Sequence, residues 1–332
     1  PRLTSWGFSM FKILVFVLTS VGIFFAIALG LILSQWPGGE VSSEAGLRFP
    51  ATAGTGSATE VPLQTFVARD GATLGFRQVS GDPANTIVVV HGSGWHGAAY
   101  MELAEGITQQ TGARVLVPDM RGHGPLADPR GDASYIGQFE DDLADLLDHA
   151  GVQAATFVGH SSGGGLVVRL AGGNHGDLVE NAVLMAPYLK YDAPTTRPAS
   201  GGWAHALTRR LIGLSMLNVV GITALNGLTV LEFNLPEDVL ATQDGQYATP
   251  SYSYRLNTGF APRNDYGSDV AALPAFLLLV GQEDEAFLAD QYEPTLSTHN
   301  ASGTYQVLPS LGHLDVLSAP EAVTAIADYL KR

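Results

Sequence analysis

The chain contains no cysteine, which excludes disulfides, thiolate zinc sites and cysteine nucleophiles and leaves redox chemistry silent about compartment. Basic residues are scarce. Lys and Arg number 17 against 32 Asp and Glu, a net charge of −15, which disfavours nucleic acid and anionic membrane surfaces as electrostatic partners and favours solubility. Nine histidines occur, but there is no His-Glu-x-x-His. His91 and His96 fall on a loop without the i, i+4 spacing of a helical metal pair, so neither a metal nor another cofactor is expected. Repeats and low-complexity tracts are absent after the first 60 residues. Charge is missing altogether from residues 13–33, where Thr19 and Ser20 are the only polar side chains.

At ~1.5 Å per residue that apolar run is long enough to cross the ~30 Å of hydrocarbon in a bilayer. Arg2 and Lys12 precede it, whereas Glu40 and Glu44 follow it before Arg48. The positive-inside rule then puts the N-terminus in the cytoplasm and the rest outside, in the periplasm or at the cell surface. A cleaved signal peptide, giving a secreted protein, and a buried core helix are the competing readings. The run exceeds the ~7 to 15 residues usual for a signal h-region and lacks a good small-x-small site after it. Met10 is a candidate natural start. Residues 1–36 are thus read as a membrane anchor or signal segment, and the Gly-, Ser-, Thr- and Ala-rich residues 37–60 as a linker.

With 46% apolar residues, the remainder can bury a sizeable core. Two β-prone runs flank Asp70-Gly71, a hairpin signal. Residues 86–90 form a short β-branched run of the kind buried in a parallel sheet, ending in His91-Gly92-Ser93-Gly94-Trp95. A helix is expected over Met101–Thr111, a strand over 114–118, a turn at Asp119-Met120-Arg121-Gly122-His123-Gly124 and a helix over 139–150. In that turn Asp119, Arg121 and His123 are read as a brace. Further strands are expected at 181–186, 275–280 and 304–308. Such alternation implies a mostly parallel, doubly wound α/β sheet.

The chemistry centres on Thr156-Phe157-Val158-Gly159-His160-Ser161-Ser162-Gly163. A strand enters a G-x-S-x-G turn there and a helix leaves it. Small flanking residues permit a strained turn that projects the Ser161 hydroxyl, and the new helix aims its positive end at any oxyanion formed there. The amide of Ser162 is the natural donor. A second would be the amide of Ser93, with Gly94 as alternate. Asp284, just beyond one strand, and His313, beyond another, follow in the order Ser, Asp, His. Glu283, Glu285 and Asp315 are rival acids, Asp315 disfavoured because it lies only two residues from His313. Trp95 and Tyr188 are candidate substrate contacts.

Residues 60–330 resemble a serine α/β-hydrolase, and more narrowly the bacterial relatives of monoacylglycerol lipases and lysophospholipases. The resemblance rests on His91-Gly92, Asp119 to Gly124, Gly159-His160-Ser161-Ser162-Gly163-Gly164, Gly281-Gln282-Glu283-Asp284 and Gly312-His313. It implies a core of residues 61–187 and 274–332, with residues 188–273 as a helical cap insertion preceded by Tyr188's strand end. In that cap, Trp203, Leu207, Leu211 and Leu214 recur at helical spacing over residues 203–217, while Arg209 and Arg210 lie off the stripe. It further implies Ser161 as nucleophile, Asp284 as acid and His313 as base. The expected reaction is cleavage of short- to medium-chain carboxylic esters, monoacylglycerols and lysophospholipids included, through an acyl-enzyme. Amidase, thioesterase and perhydrolase chemistry use the same triad, and a non-catalytic membrane-tethered binding protein of this fold is the alternative from another class. The expected partners are a small-molecule ester or lipid and, through the N-terminal helix, a membrane. Ser93-Gly94-Trp95-His96 departs from the usual oxyanion loop of monoacylglycerol lipases. Oligomeric state is not encoded in these patterns.

Overall fold

The computed structural model describes residues 4–38, 46–49, 61–198 and 202–331. The apolar run forms α1 (Thr4–Leu33). Its stretch Met10–Leu33 is, among the described residues, the one helix long and apolar enough to cross a membrane, and only 6% of its apolar window is covered by protein. A core helix would be covered on most of its surface. Most of the linker lies outside the described residues, but residues 46–49 rest on the body. There the Phe49 ring lies 5.8 Å from that of Trp203, and Arg48 pairs with Glu285.

The hairpin at Asp70-Gly71 is β1 (Gln64–Val67) with β2 (Thr73–Val79), paired antiparallel. Then come β3 (Asp82–Val90), α2 (Met101–Thr111), β4 (Ala113–Pro118), α3 (Gln138–His149), β5 (Ala155–His160), α4 (Ser162–Ala171) and β6 (Val179–Met185). The insertion carries β7 (Ala204–Ala206), α5 (Thr208–Val219), β8 (Thr229–Phe233), α6 (Glu237–Leu240), β9 (Ser251–Ser253), α7 (Tyr254–Gly259) and α8 (Tyr266–Ala271). The core resumes with β10 (Phe276–Gly281), α9 (Tyr292–Leu296), β11 (Gly303–Leu308) and α10 (Pro320–Leu330). The main sheet runs β1-β2-β4-β3-β5-β6-β10-β11. From β4 to β11 every neighbouring pair is parallel.

Alternation along the strands builds two cores. Ile87 and Val89 of β3 pack with α2 and α10, whereas Val88 and Val90 pack with α3 and α4. Because both faces are covered, the central strands are apolar without polar breaks, which is why they read as short continuous runs. This is the doubly wound α/β arrangement expected from the sequence.

The insertion departs from a purely helical cap: β7, β8 and β9 form a three-stranded sheet of their own. The helix expected from residue 203 begins only at Thr208. The preceding residues are drawn into pairing with β8, and Trp203 stacks on Phe233 with centroids 5.3 Å apart. Arg210, which the stripe leaves at the surface, is buried. Its guanidinium donates to the carbonyls of Ile32 (3.4 Å) and Thr229 (3.1 Å) and lies 5.1 Å from the centre of the Trp36 ring.

A tight approach in the core lies where β5 turns into α4. A Cβ on Gly163 would sit 2.3 Å from the carbonyl oxygen of Val90, so nothing larger than glycine fits without moving β3 away from α4. Gly163→Ala is therefore expected to destabilise the protein by at least ~1–3 kcal/mol, read as a lower urea midpoint. An unchanged midpoint would mean that this contact is looser than described.

Candidate active site

Ser161 occupies the sharp turn between β5 and α4 with φ 54° and ψ −122°, a positive φ on a non-glycine residue. Such a conformation persists only when its surroundings hold it. Here the Ser161 amide donates to Met185 O (2.9 Å), and its carbonyl accepts from Gly165 (3.1 Å) and Tyr188 (2.9 Å). The next strand, the new helix and the start of the insertion thus fix the turn together. Among the described residues the Ser161 hydroxyl has no hydrogen-bond partner.

The loop after β10 supplies Asp284 and the loop after β11 supplies His313, both buried. His313 Nδ1 lies 2.8 Å from Asp284 Oδ2. The other oxygen, Oδ1, accepts from the amides of Ala286 and Phe287, each at 2.8 Å. A carboxylate saturated in this way has its orientation set before it meets the imidazole. The carbonyl of Asp284 accepts from Arg197 Nε at 3.0 Å, so the insertion's first segment holds this loop too. The rival acids are otherwise engaged. Asp315 accepts from the amide of Gly312 (2.8 Å), Glu285 from the amide of His313 (2.8 Å), and Glu283 pairs with Arg48.

Sequence reasoning passed over His160, the second residue of the G-x-S-x-G word. Its Nε2 lies 3.0 Å from the carbonyl oxygen of His313 and its Nδ1 lies 2.9 Å from the Tyr100 hydroxyl. The neutral ring with its proton on Nε2 satisfies both contacts, donating to the carbonyl and accepting from the phenol. The Tyr100 oxygen in turn accepts from the amide of Gly92 at 2.8 Å. The His160 and His313 rings lie 4.6 Å apart, so this chain joins the loop after β3 to the backbone of His313.

That loop is tied on its other side as well. The amide of Gly94 donates to the hydroxyl of Tyr252 in β9 (2.7 Å), and this hydroxyl lies 2.6 Å from His123 Nε2. Gly94 is therefore committed, which corrects its reading as an alternate oxyanion donor. The amides of Ser93 and Ser162 have no acceptor among the described residues, and the two hydroxyls lie 2.5 Å apart. His123, with Asp119 and Arg121, braces its loop as read: Nδ1 donates to the carbonyl of Arg121 at 3.0 Å, Asp119 pairs with Arg77 and Arg121 with Asp142.

Tyr188 is half-buried, one ring from the histidine. It lies 6.4 Å from Phe287, which lies 5.3 Å from His313. Trp95 instead stacks on His96 at 5.6 Å. His96 in turn approaches the carbonyl of Asp244, in the insertion, at 3.2 Å. A surface cavity of about 470 Å³ between β11 and α10, lined by Leu277, Thr304, Gln306 and Tyr329, includes none of these residues.

Burial holds His91 down to about 3 and His123 to about 4, and holds His160 well below its ordinary range, with the neighbouring His313 adding to the effect. All three stay neutral in the folded chain while the unfolded chain protonates them near pH 6.5. Their contribution to stability is complete above that pH and is lost as pH falls below it, by ~1.4 kcal/mol per pH unit for each histidine. The urea midpoint is expected to drop steeply between pH 6.5 and 5. A midpoint constant over that window would show that the folded protein takes up these protons without cost.

The model of the alpha/beta hydrolase family matches residues 87–326. An uncharacterized protein of Mycobacterium tuberculosis (strain ATCC 25618 / H37Rv) is 33% identical over 115 residues, covering 33% of this chain and 31% of that protein. The chain thus matches about a third of the length of the first of its curated relatives. The putative carbamate hydrolase RutD of Caulobacter sp. (strain K31) is 24% identical over 265 residues, 75% of this chain and 92% of that one. Among solved structures, the monoacylglycerol lipase of Paleococcus ferrophilus shares the fold with a TM-score of 0.59 at 20% identity, over 77% of this chain and 98% of its own. With its strand–turn–helix serine, a histidine and acid beyond later strands, and most of its length matched by the family model, the chain belongs to the alpha/beta hydrolase family.

Proposed function

We propose that the protein hydrolyses carboxylic esters of short to medium acyl chain through a Ser161–His313–Asp284 triad and an acyl-enzyme. The observation that carries this reading is the 2.8 Å contact between His313 Nδ1 and Asp284 Oδ2. Among the described residues, Nε2 of this buried imidazole has no hydrogen-bond partner. In the reaction, His313 Nε2 takes the Ser161 proton as the oxygen attacks the acyl carbon. The amides of Ser162 and Ser93 receive the oxyanion, and Asp284 orients the imidazole and stabilises its charged form. The alcohol leaves with the proton from His313. Water, activated by the same nitrogen, then attacks the acyl carbon and releases the acid. Tyr188 and Trp95 are assigned to the substrate walls, Tyr188 next to the histidine and Trp95 on the cap side. The division into a core of residues 61–187 and 274–332 and a cap of residues 188–273 belongs to the same proposal. Relatives named as a monoacylglycerol lipase and a putative carbamate hydrolase support hydrolysis at a carbonyl, with ester over amide or thioester as the specific proposal.

We also assign α1 to a membrane anchor with the hydrolase domain outside the cytoplasm. Ala28 and Ile32 near its end are buried against the cap, and a segment removed on export would leave that cap surface bare.

Ser161→Ala is expected to lower ester turnover at least ~10³-fold and to abolish labelling by a fluorophosphonate probe while the fold stays intact. Turnover near wild type would overturn the assignment. A separate comparison concerns the acid. Asp284→Asn should cut kcat by as much as ~10⁴-fold, whereas Asp315→Asn, whose carboxylate holds its own turn, should change it far less. A crippling Asp315→Asn would move the acid to that residue.

A further inference from the structure

We infer that the cap helix α5 and the loop after it are submerged in the outer leaflet of the membrane beside α1, so that the active site is supplied with esters resident in the bilayer. The substrate half of this inference rests on the hydrolase reading above; the docking half does not.

The argument begins with how α1 and α5 meet. Arg209, at the start of α5, donates from its backbone to Gln35 Oε1 and from Nη2 to the Ser34 carbonyl, both at 2.9 Å. One turn further, Gly213 faces the backbone of α1, where a Cβ would sit 2.5 Å from the carbonyl oxygen of Ala28. Leu214 and Leu217 close over Ala28 and Ile32. The contacts move down α1 as they move up α5, so the two helices run antiparallel, and α5 travels from the outer end of α1 back along it. Phe25, Ala28 and Ile32 belong to the apolar stretch Met10–Leu33. At ~1.5 Å per residue Ala28 lies ~8 Å inside the end of that stretch. If α1 spans the hydrocarbon, α5 lies in it too.

The composition of this segment agrees. Residues 211–231 contain no charged side chain. Ile212, Val219, Val220 and Ile222 point outward, Val219 with 84% of its surface exposed. Among the described residues no element covers that patch. In the bilayer it continues the lipid-facing surface of α1.

Several of the polar side chains nearby are satisfied internally, as a lipid environment favours. Asn218 and Asn226 exchange side-chain hydrogen bonds of 2.7 and 2.9 Å, and Ser215 Oγ pairs with the Tyr254 hydroxyl at 3.0 Å. The last turn of α5 closes with Val220, Gly221 and Ile222 donating to Leu217 or Asn218. At the level where α1 leaves the hydrocarbon stand the exposed ring of Trp36 and the paired Arg209 and Arg210, the residue types that mark a membrane–water boundary.

The cap sheet links this segment to the chemistry. Trp203 and Phe233 lie against Gly94, where a Cβ would meet their rings at 3.3 and 3.5 Å. β8 therefore touches α5 on one side and the loop of Ser93 on the other.

The absence of cysteine makes the test direct. Single cysteines at Val219, Ile222 and, as an exposed control far from α1, Gln246 are labelled with a nitroxide in the full-length protein in phosphatidylcholine nanodiscs. Labels at 219 and 222 should be accessible to oxygen and shielded from an aqueous nickel chelate, with the reverse at 246. Equal nickel accessibility at all three overturns the docking. The double variant Val219→Asp/Ile222→Asp is then assayed on p-nitrophenyl butyrate in water and on a long-chain monoacylglycerol in the nanodisc. An unchanged rate on the soluble ester with a loss of at least 10-fold on the bilayer ester is expected, and equal rates on the bilayer ester overturn membrane supply of substrate. Wild-type protein inert on both esters, with shielded labels, would sink the hydrolase reading and with it the substrate half, while the docking stands.

Discussion

The structure depends on how closely β3, β5 and α4 approach one another at the serine turn. Adjacent strands in a sheet are held ~4.8 Å apart by their ladder. For a helix to start at the end of β5 without colliding with β3, its first turn must carry no side chain toward the sheet, which Gly163 provides against the carbonyl of Val90. That approach forces Ser161 into its strained conformation and brings Ser162 beside Ser93, hydroxyl to hydroxyl at 2.5 Å. The acid and the histidine are simpler to place. Each needs only to follow a parallel strand on the same side of β5, because parallel strands end at the same edge of the sheet.

The loop after β3 gains its form from two tyrosine–histidine relays. Gly92 donates to Tyr100, which meets neutral His160; Gly94 donates to Tyr252, which meets neutral His123. Each relay occupies one amide, so the amide between them, that of Ser93, remains uncommitted and its position is set from both flanks. An oxyanion donor is useful in proportion to how little it must reorganise. The first relay also reaches the carbonyl of His313 through His160, giving the Ser93 amide and the His313 backbone a shared support.

Much of this was legible in the sequence, for identifiable reasons. α2 occupies Met101–Thr111 as read, and the buried strands were visible because burial on both faces demands unbroken apolar runs. The places of Ser161, Asp284 and His313 were legible because a strained turn needs glycines and because each of the three directly follows a strand. The relays were not, since Tyr100 and His160 lie 60 residues apart and Tyr252 and His123 lie 129 apart, and nothing in a local pattern joins them. The cap failed in a related way. Helical spacing from Trp203 was genuine up to Leu214, but pairing with β8 outweighed local propensity before Thr208, and Arg210 is buried because its charge is satisfied by carbonyls of α1 and β8, elements distant in sequence.

The cap is fastened both to the core and to α1, and these fastenings face different environments. Through Tyr252 it holds the loop of Ser93; through Gly213, Leu214 and Leu217 it holds α1. A cap attached only to the core could swing as a lid. One attached also to a helix nearly devoid of other protein contacts moves with that helix, and the orientation of α1 is set by whatever covers its apolar surface. Removing α1 would expose Leu214 and Leu217, which it now buries, and release the fastening on that side. A chain cut back to its hydrolase domain would then present the same Ser161, Asp284 and His313 beneath a differently held cap, and its preferences among esters would describe that arrangement rather than the one in which α1 and α5 are packed together.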